Sequence, residues 1–146
     1  MEKDSVIVKV IKIGQLNLQG NIIDDGWFMN ITYSNGKPNM IDIMILAEII
    51  YWYRPTIEKD ELTGKTLGFK KKFKSDLLQK SYQSFADRFG ISKRQVKAAC
   101  DVLKNLGLIK IEFRNIANKN RYFSNVMFIE PIPEKIREIS ILYAKS

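Results

Sequence analysis

The residues best equipped for chemistry are Gln83, Ser92, Lys93, Arg94, Gln95, Lys97 and Ala98, all inside YQSFADRFGISKRQVKAACD, from Tyr82 to Asp101. Most of them are hydrogen-bond donors. A guanidinium can give two parallel bonds to guanine, a glutamine amide can pair with adenine, and an ammonium suits phosphate or guanine. Ala98 adds no polar group but leaves room for close approach. A second basic set, Lys70, Lys71, Lys72 and Lys74, precedes this stretch, and a third donor set, Arg114, Lys119, Asn120 and Arg121, follows it. From Lys65 to Arg121 there are 15 Lys or Arg against 4 Asp or Glu, a net charge of +11, while the rest of the chain carries −3 of the overall +8. Such an asymmetry draws a polyanion to one side and releases counterions on contact. A solvated lysine-rich surface has the same composition, so charge alone does not decide between the two.

Other chemistry is poorly provided for. The chain has no histidine and one cysteine, Cys100, which removes histidine bases, Ser-His-Asp triads, Cys/His zinc sites and internal disulfides. Asp24-Asp25 and Asp60-Glu61 are paired carboxylates, but at turn-like sites they are expected to face solvent. No acid, base, metal-ligand and nucleophile set converges, so neither enzyme activity, nor a cofactor, nor a metal is expected. MEKDSVIVKV lacks the form of a secretory signal, and the longest apolar run, Met40 to Tyr53, contains Asp42 and Glu48 and is shorter than the about 20 residues a bilayer needs. A cytoplasmic protein without membrane contact is expected, and a lone cysteine fits a reducing compartment.

The elements that must hold these donors can be read from pattern. Val6 to Ile13, VIVKVIKI, is β-branched and predicts a strand or arm; Trp27 to Thr32 predicts a short strand before the turn SNGKPN. Asn39 should cap a helix from Met40 to Tyr53 with Asp42 in its first turn, apolar on nearly every side and therefore the buried spine. Arg54-Pro55 ends it. TIEKDELTGKTLGFKKKF predicts a hairpin or loop, and Ser75 to Lys80 a short helix.

Within the opening stretch the spacing fits two helices crossing at a tight turn. Ala86 is the small contact residue, Gly90 can adopt positive φ in the turn, and Ser92 can cap the second helix. At about 100° per residue Val96, Ala99, Cys100, Leu103 and Leu106 share one arc, leaving Arg94, Lys97 and Ala98 opposite. Cys100 is thus read as a packed thiol. Leu108 to Phe113 and Phe123 to Ile129 should form a hairpin with one buried face and a polar tip at Ala117 to Arg121. From Pro133 or Glu134 a helix should carry an apolar stripe of Ile136, Ile139 and Tyr143.

The stretch ISKRQVKAACDVLKNLGLIKIE, with the hairpin after it, resembles a winged helix-turn-helix domain. Together with ILAEIIYWYRP and GFKKKFKSDLLQKSYQSFADRFGISKRQVK, the chain is similar to the N-terminal domain of phage and mobile-element replisome organisers, the DnaD-like replication proteins. The resemblance implies an α+β fold, a three-helix core plus β-hairpin wing, over residues 20–131, with an N-terminal β arm over 1–19 and a C-terminal helix over 132–146. It implies sequence-specific binding of double-stranded DNA in replication initiation. A transcriptional regulator would use the same residues, and a protein-interaction module is the reading from another class. Expected partners are double-stranded DNA, replication proteins and a second copy as homodimer, through either Val6 to Ile13 or Ile136 to Tyr143.

Overall fold

The computed structural model describes residues 2–142. In chain order the elements are α1 (Glu2–Gln15), α2 (Trp27–Asn30), α3 (Met40–Tyr53), β1 (Thr56–Lys59), β2 (Thr66–Lys70), β3 (Leu78–Gln79), α4 (Tyr82–Phe89), α5 (Lys93–Asn105), β4 (Ile109–Asn118), β5 (Arg121–Pro131) and α6 (Pro133–Glu138). The fold is mixed α+β with two small antiparallel sheets. One is the β1–β2 hairpin, and the other has strand order β3-β5-β4.

The spine is α3. Asn39 accepts a bond from the Asp42 amide at 3.2 Å, satisfying a donor at the helix start, and Ile43, Ile45, Leu46 and Ile49 are fully buried. Phe85 and Ala86 of α4 and Val96, Ala99, Cys100 and Leu103 of α5 pack against it. Leu106, placed on the same arc by periodicity, is the exposed C-cap of α5 instead. Leu108, Ile109, Met127 and Ile129 close the core from the sheet. The sheet is tied to the spine by Tyr53, whose hydroxyl donates to the Ile129 carbonyl at 2.5 Å and accepts from the Leu78 amide at 2.9 Å.

Four local readings are corrected. Val6 to Ile13 is helix, not strand: its apolar residues also fit a period of 3.6, and a helix closes its own backbone bonds where a strand needs a partner edge. The Trp27 segment is one helical turn, set by Asp24, whose Oδ1 accepts from the Gly26 amide at 2.7 Å. Ser75 to Lys80 is not helical, because Leu78–Gln79 pairs with Ile129 and Phe128 of β5, a partner some 50 residues away that local propensity cannot register. Helix α6 ends at Glu138, after which the chain turns back over α2.

That return gives Asp24 a partner set. Its carboxylate accepts from the Ile141 and Leu142 amides at 2.7 and 3.1 Å, so it does not simply face solvent. Trp27 Nε1 donates to Ser140 Oγ at 2.8 Å. Gly26 lies directly beneath: a Cβ there would meet the Ile139 carbonyl oxygen at 2.5 Å. Ile136 and Ile139 pack on the core, while Tyr143 lies outside the described residues. In the β1–β2 turn Asp60 Oδ1 accepts from the Leu62 amide at 2.8 Å, and Glu61 is exposed.

Candidate nucleic-acid interface

The two-helix unit is built from local signals. Ser81 Oγ accepts from the Ser84 amide at 3.0 Å to start α4, and Gly90, at φ 67°, ends it with a left-handed residue that costs glycine little. Ser92 Oγ accepts from the Gln95 amide at 3.1 Å, and Gln95 Oε1 accepts from the Ser92 amide at 2.9 Å. This reciprocal cap fixes where α5 begins. It also occupies the oxygen that a bidentate contact to adenine would need.

The first turns of α5 point Lys93, Arg94, Gln95, Lys97 and Ala98 outward, and all are exposed. Among the described residues Lys93 and Arg94 make no ion pair, whereas Lys97 reaches Asp101 at 3.0 Å. That hydrogen bond holds the Lys97 ammonium pKa above its ordinary value. Gln83 Nε2 donates to Asp87 at 2.6 Å. A groove of about 610 Å³ brings Gln83 and Lys93 together with Lys80, Ser81, Phe113 and Asn125, where the starts of α4 and α5 meet the root of the β4–β5 hairpin. Lys80 and Asn125 were not singled out by sequence; the first sits just before a cap, and the second is placed only by strand pairing.

Beyond that root the hairpin runs on into solvent. Asn118 pairs with Arg121, and Lys119 and Asn120 have φ 46° and 67°, as a two-residue type I′ turn requires. Lys119, Asn120 and Arg121 are therefore exposed together at the tip. Asn125, at φ 55°, sits in an irregularity where its amide donates to Asn115 Oδ1 at 3.2 Å. Phe113, Tyr122 and Phe123 are exposed, so only the inner half of the hairpin is a core element.

Several expected donors are engaged within the chain. Arg114 gives two bonds to Asp76 at 2.7 and 2.9 Å, a third to Glu112, and lies over the Phe128 ring at 4.2 Å. These bonds hold Asp76 down to about pKa 2 and push the guanidinium further up. Lys72 donates to the Tyr51 and Arg54 carbonyls at 3.0 and 2.7 Å and caps the end of α3 over the Tyr51 ring. Burial and then Arg54 lower its pKa. Lys71 bonds the Ser75 carbonyl, while Lys70 and Lys74 are exposed. The lysine cluster is thus half structural.

An ion pair between the buried Glu48 and the exposed Arg88 locks the unit to the spine. Glu48 of α3 accepts from Arg88 at 2.8 Å, Asn21 at 2.8 Å and Trp52 at 3.2 Å. Burial pushes its pKa up, but these donors outweigh burial and lower it. The Cys100 thiol is pushed up to about 12 by burial and then by Asp101, which leaves it inert as a nucleophile. No helix among the described residues is long and apolar enough to cross a membrane. A scan against family models and searches of curated proteins and of solved structures return no match.

Proposed function

We propose that the chain is a winged helix-turn-helix protein that binds double-stranded DNA sequence-specifically, without catalysis, in replication initiation of a phage, plasmid or mobile element. The observation that carries this reading is the exposed start of α5, where Arg94 and Lys93 have no ion-pair partner among the described residues and Ala98 leaves the helix surface low. In this reading α5 enters the major groove and Arg94 contacts a base edge. Lys93 and the tip residues Lys119 and Arg121 hold phosphate. The replication role rests on the resemblance of the sequence to replisome organisers.

Selection of bound duplexes from a random pool, followed by salt titrations, tests it. Arg94→Ala should weaken binding to the selected site by roughly tenfold to a hundredfold and relax preference at one position, as expected for a bidentate base contact worth about 1–3 kcal/mol. Lys119→Ala should weaken all duplexes alike and reduce the salt slope by about one. No binding at low salt, or an unchanged preference in Arg94→Ala, would refute the groove assignment. A footprint on origin repeats supports the replication role, and one on a promoter favours transcriptional control.

A further inference from the structure

Beyond its root the β4–β5 hairpin has no core to serve, yet it carries aromatic rings. Tyr122, Phe113 and Phe123 are 68%, 51% and 47% exposed. From Phe113 to Asn118 the ribbon extends about 17 Å, at about 3.4 Å per residue. Phe123 has a local role, since it pairs with Ile116 across the strands and lines a hollow of about 190 Å³ with Ile116 and Gln79. Tyr122 has none. It pairs with Ala117, whose methyl group covers little of the ring, and among the described residues no other ring, cation or hydrogen-bonding group meets its side chain.

The residues around this ring suit one kind of cover. From Asn115 to Met127 the hairpin holds Lys119 and Arg121 and no Asp or Glu, and four of its residues are asparagines. Arg121 adjoins Tyr122 and Lys119 stands in the turn; both are exposed and have no ion-pair partner among the described residues. An apolar protein surface would leave these cations and amides without partners. A nucleic-acid strand offers a base face to the ring and phosphates to the cations. In a duplex each base is already stacked between its neighbours, so an unpaired strand is the form that can present a base to this ring. The same combination recurs at the root, where Phe113 lies in one groove with Lys80 and Lys93.

We propose that the outer half of the hairpin binds an unpaired nucleic-acid strand, with Tyr122 stacked on a base and Lys119 and Arg121 on the flanking phosphates. This is an activity beyond duplex recognition and does not depend on it. The ring supplies affinity without sequence preference, because every base has a face on which to stack.

Fluorescence anisotropy of the full chain with labelled oligothymidylate and oligouridylate, at low salt, is the test. Wild type should bind, and the tighter of the two names the strand as DNA or RNA. Tyr122→Ala should weaken that binding roughly tenfold, the usual worth of one stacked base, while Tyr122→Phe stays near wild type. The affinity of Tyr122→Ala for a fully paired duplex should be unchanged. A 2-aminopurine placed in the strand should lose emission on binding wild type and keep it with Tyr122→Ala. Binding of neither strand overturns the proposal, as does full strand affinity in Tyr122→Ala, which would leave phosphate contact alone. An equal loss on strand and duplex in that variant overturns it too, because the ring would then belong to the duplex contact. Duplex binding without strand binding sinks this proposal and spares the duplex reading, and strand binding without duplex binding does the reverse.

Discussion

Asp42 is buried in the first turn of α3, and its Oδ2 has no hydrogen-bond partner among the described residues. Burial raises its pKa from 3.8 to about 6. Between those values the native state holds a proton that the unfolded state has released, so this group's contribution falls as pH rises through the window and stays low above it. The difference, about two pKa units, corresponds to about 3 kcal/mol at 1.36 kcal/mol per unit. Asp42→Asn removes that cost. It also gives up a favourable charge at a helix start, about 0.3–1 kcal/mol, and buries an amide with unbonded donors, about 1 kcal/mol. A net gain of about 1–2 kcal/mol at pH 8 should raise the melting temperature by roughly 3–6 °C for a chain of this size. Near pH 4 the gain should vanish, since the native aspartic acid is then neutral. Melting curves of both proteins from pH 4 to 8 provide the assay, and their difference isolates Asp42 from Asp24 and Glu48, whose pKa values are lowered. An equal gain at pH 4 and pH 8, or a less stable variant at pH 8, would refute the reasoning.

Gly26→Ala should cost about 1–3 kcal/mol, because the new methyl meets backbone of the returning C-terminal segment, and denaturant titration measures it. Tyr53→Phe should cost about 1–3 kcal/mol by stranding the Leu78 amide, with faster hydrogen exchange at Leu78. Burial pushes the Asp24 pKa up, but the amides of Ile141, Leu142 and Gly26 outweigh it, so the native pKa lies below the ordinary value. Its stabilisation should be present above the ordinary carboxylate pKa and be lost as pH falls through the native one, with Trp27 fluorescence reporting release of Ser140. Arg114→Ala should return the Asp76 pKa, followed by NMR titration, from about 2 toward 3.8. In the DNA assay it should weaken all duplexes alike and leave sequence preference intact.

What the sequence determined by itself is local. Asn39 and Ser92 cap because their side chains reach amides three residues on, and Gly90 ends α4 because glycine tolerates positive φ. The apolar run of α3 buries wherever the chain collapses, and the outward face of α5 follows from periodicity once its inward arc is fixed. Tertiary structure decided the rest. VIVKVIKI satisfied both a strand and a helix period, and it is helical because a helix closes its own backbone bonds without a partner strand. Leu78–Gln79 became strand because β5 offered an edge, and Asp24 gained partners because the C-terminal segment crosses it. Arg114 and Lys72 look like free cations in sequence, yet Asp76 and the end of α3 hold them, while Lys93 and Arg94 remain without an ion-pair partner among the described residues. Which donor stays available depends on groups distant in sequence and near in space, and residue type and spacing do not encode that.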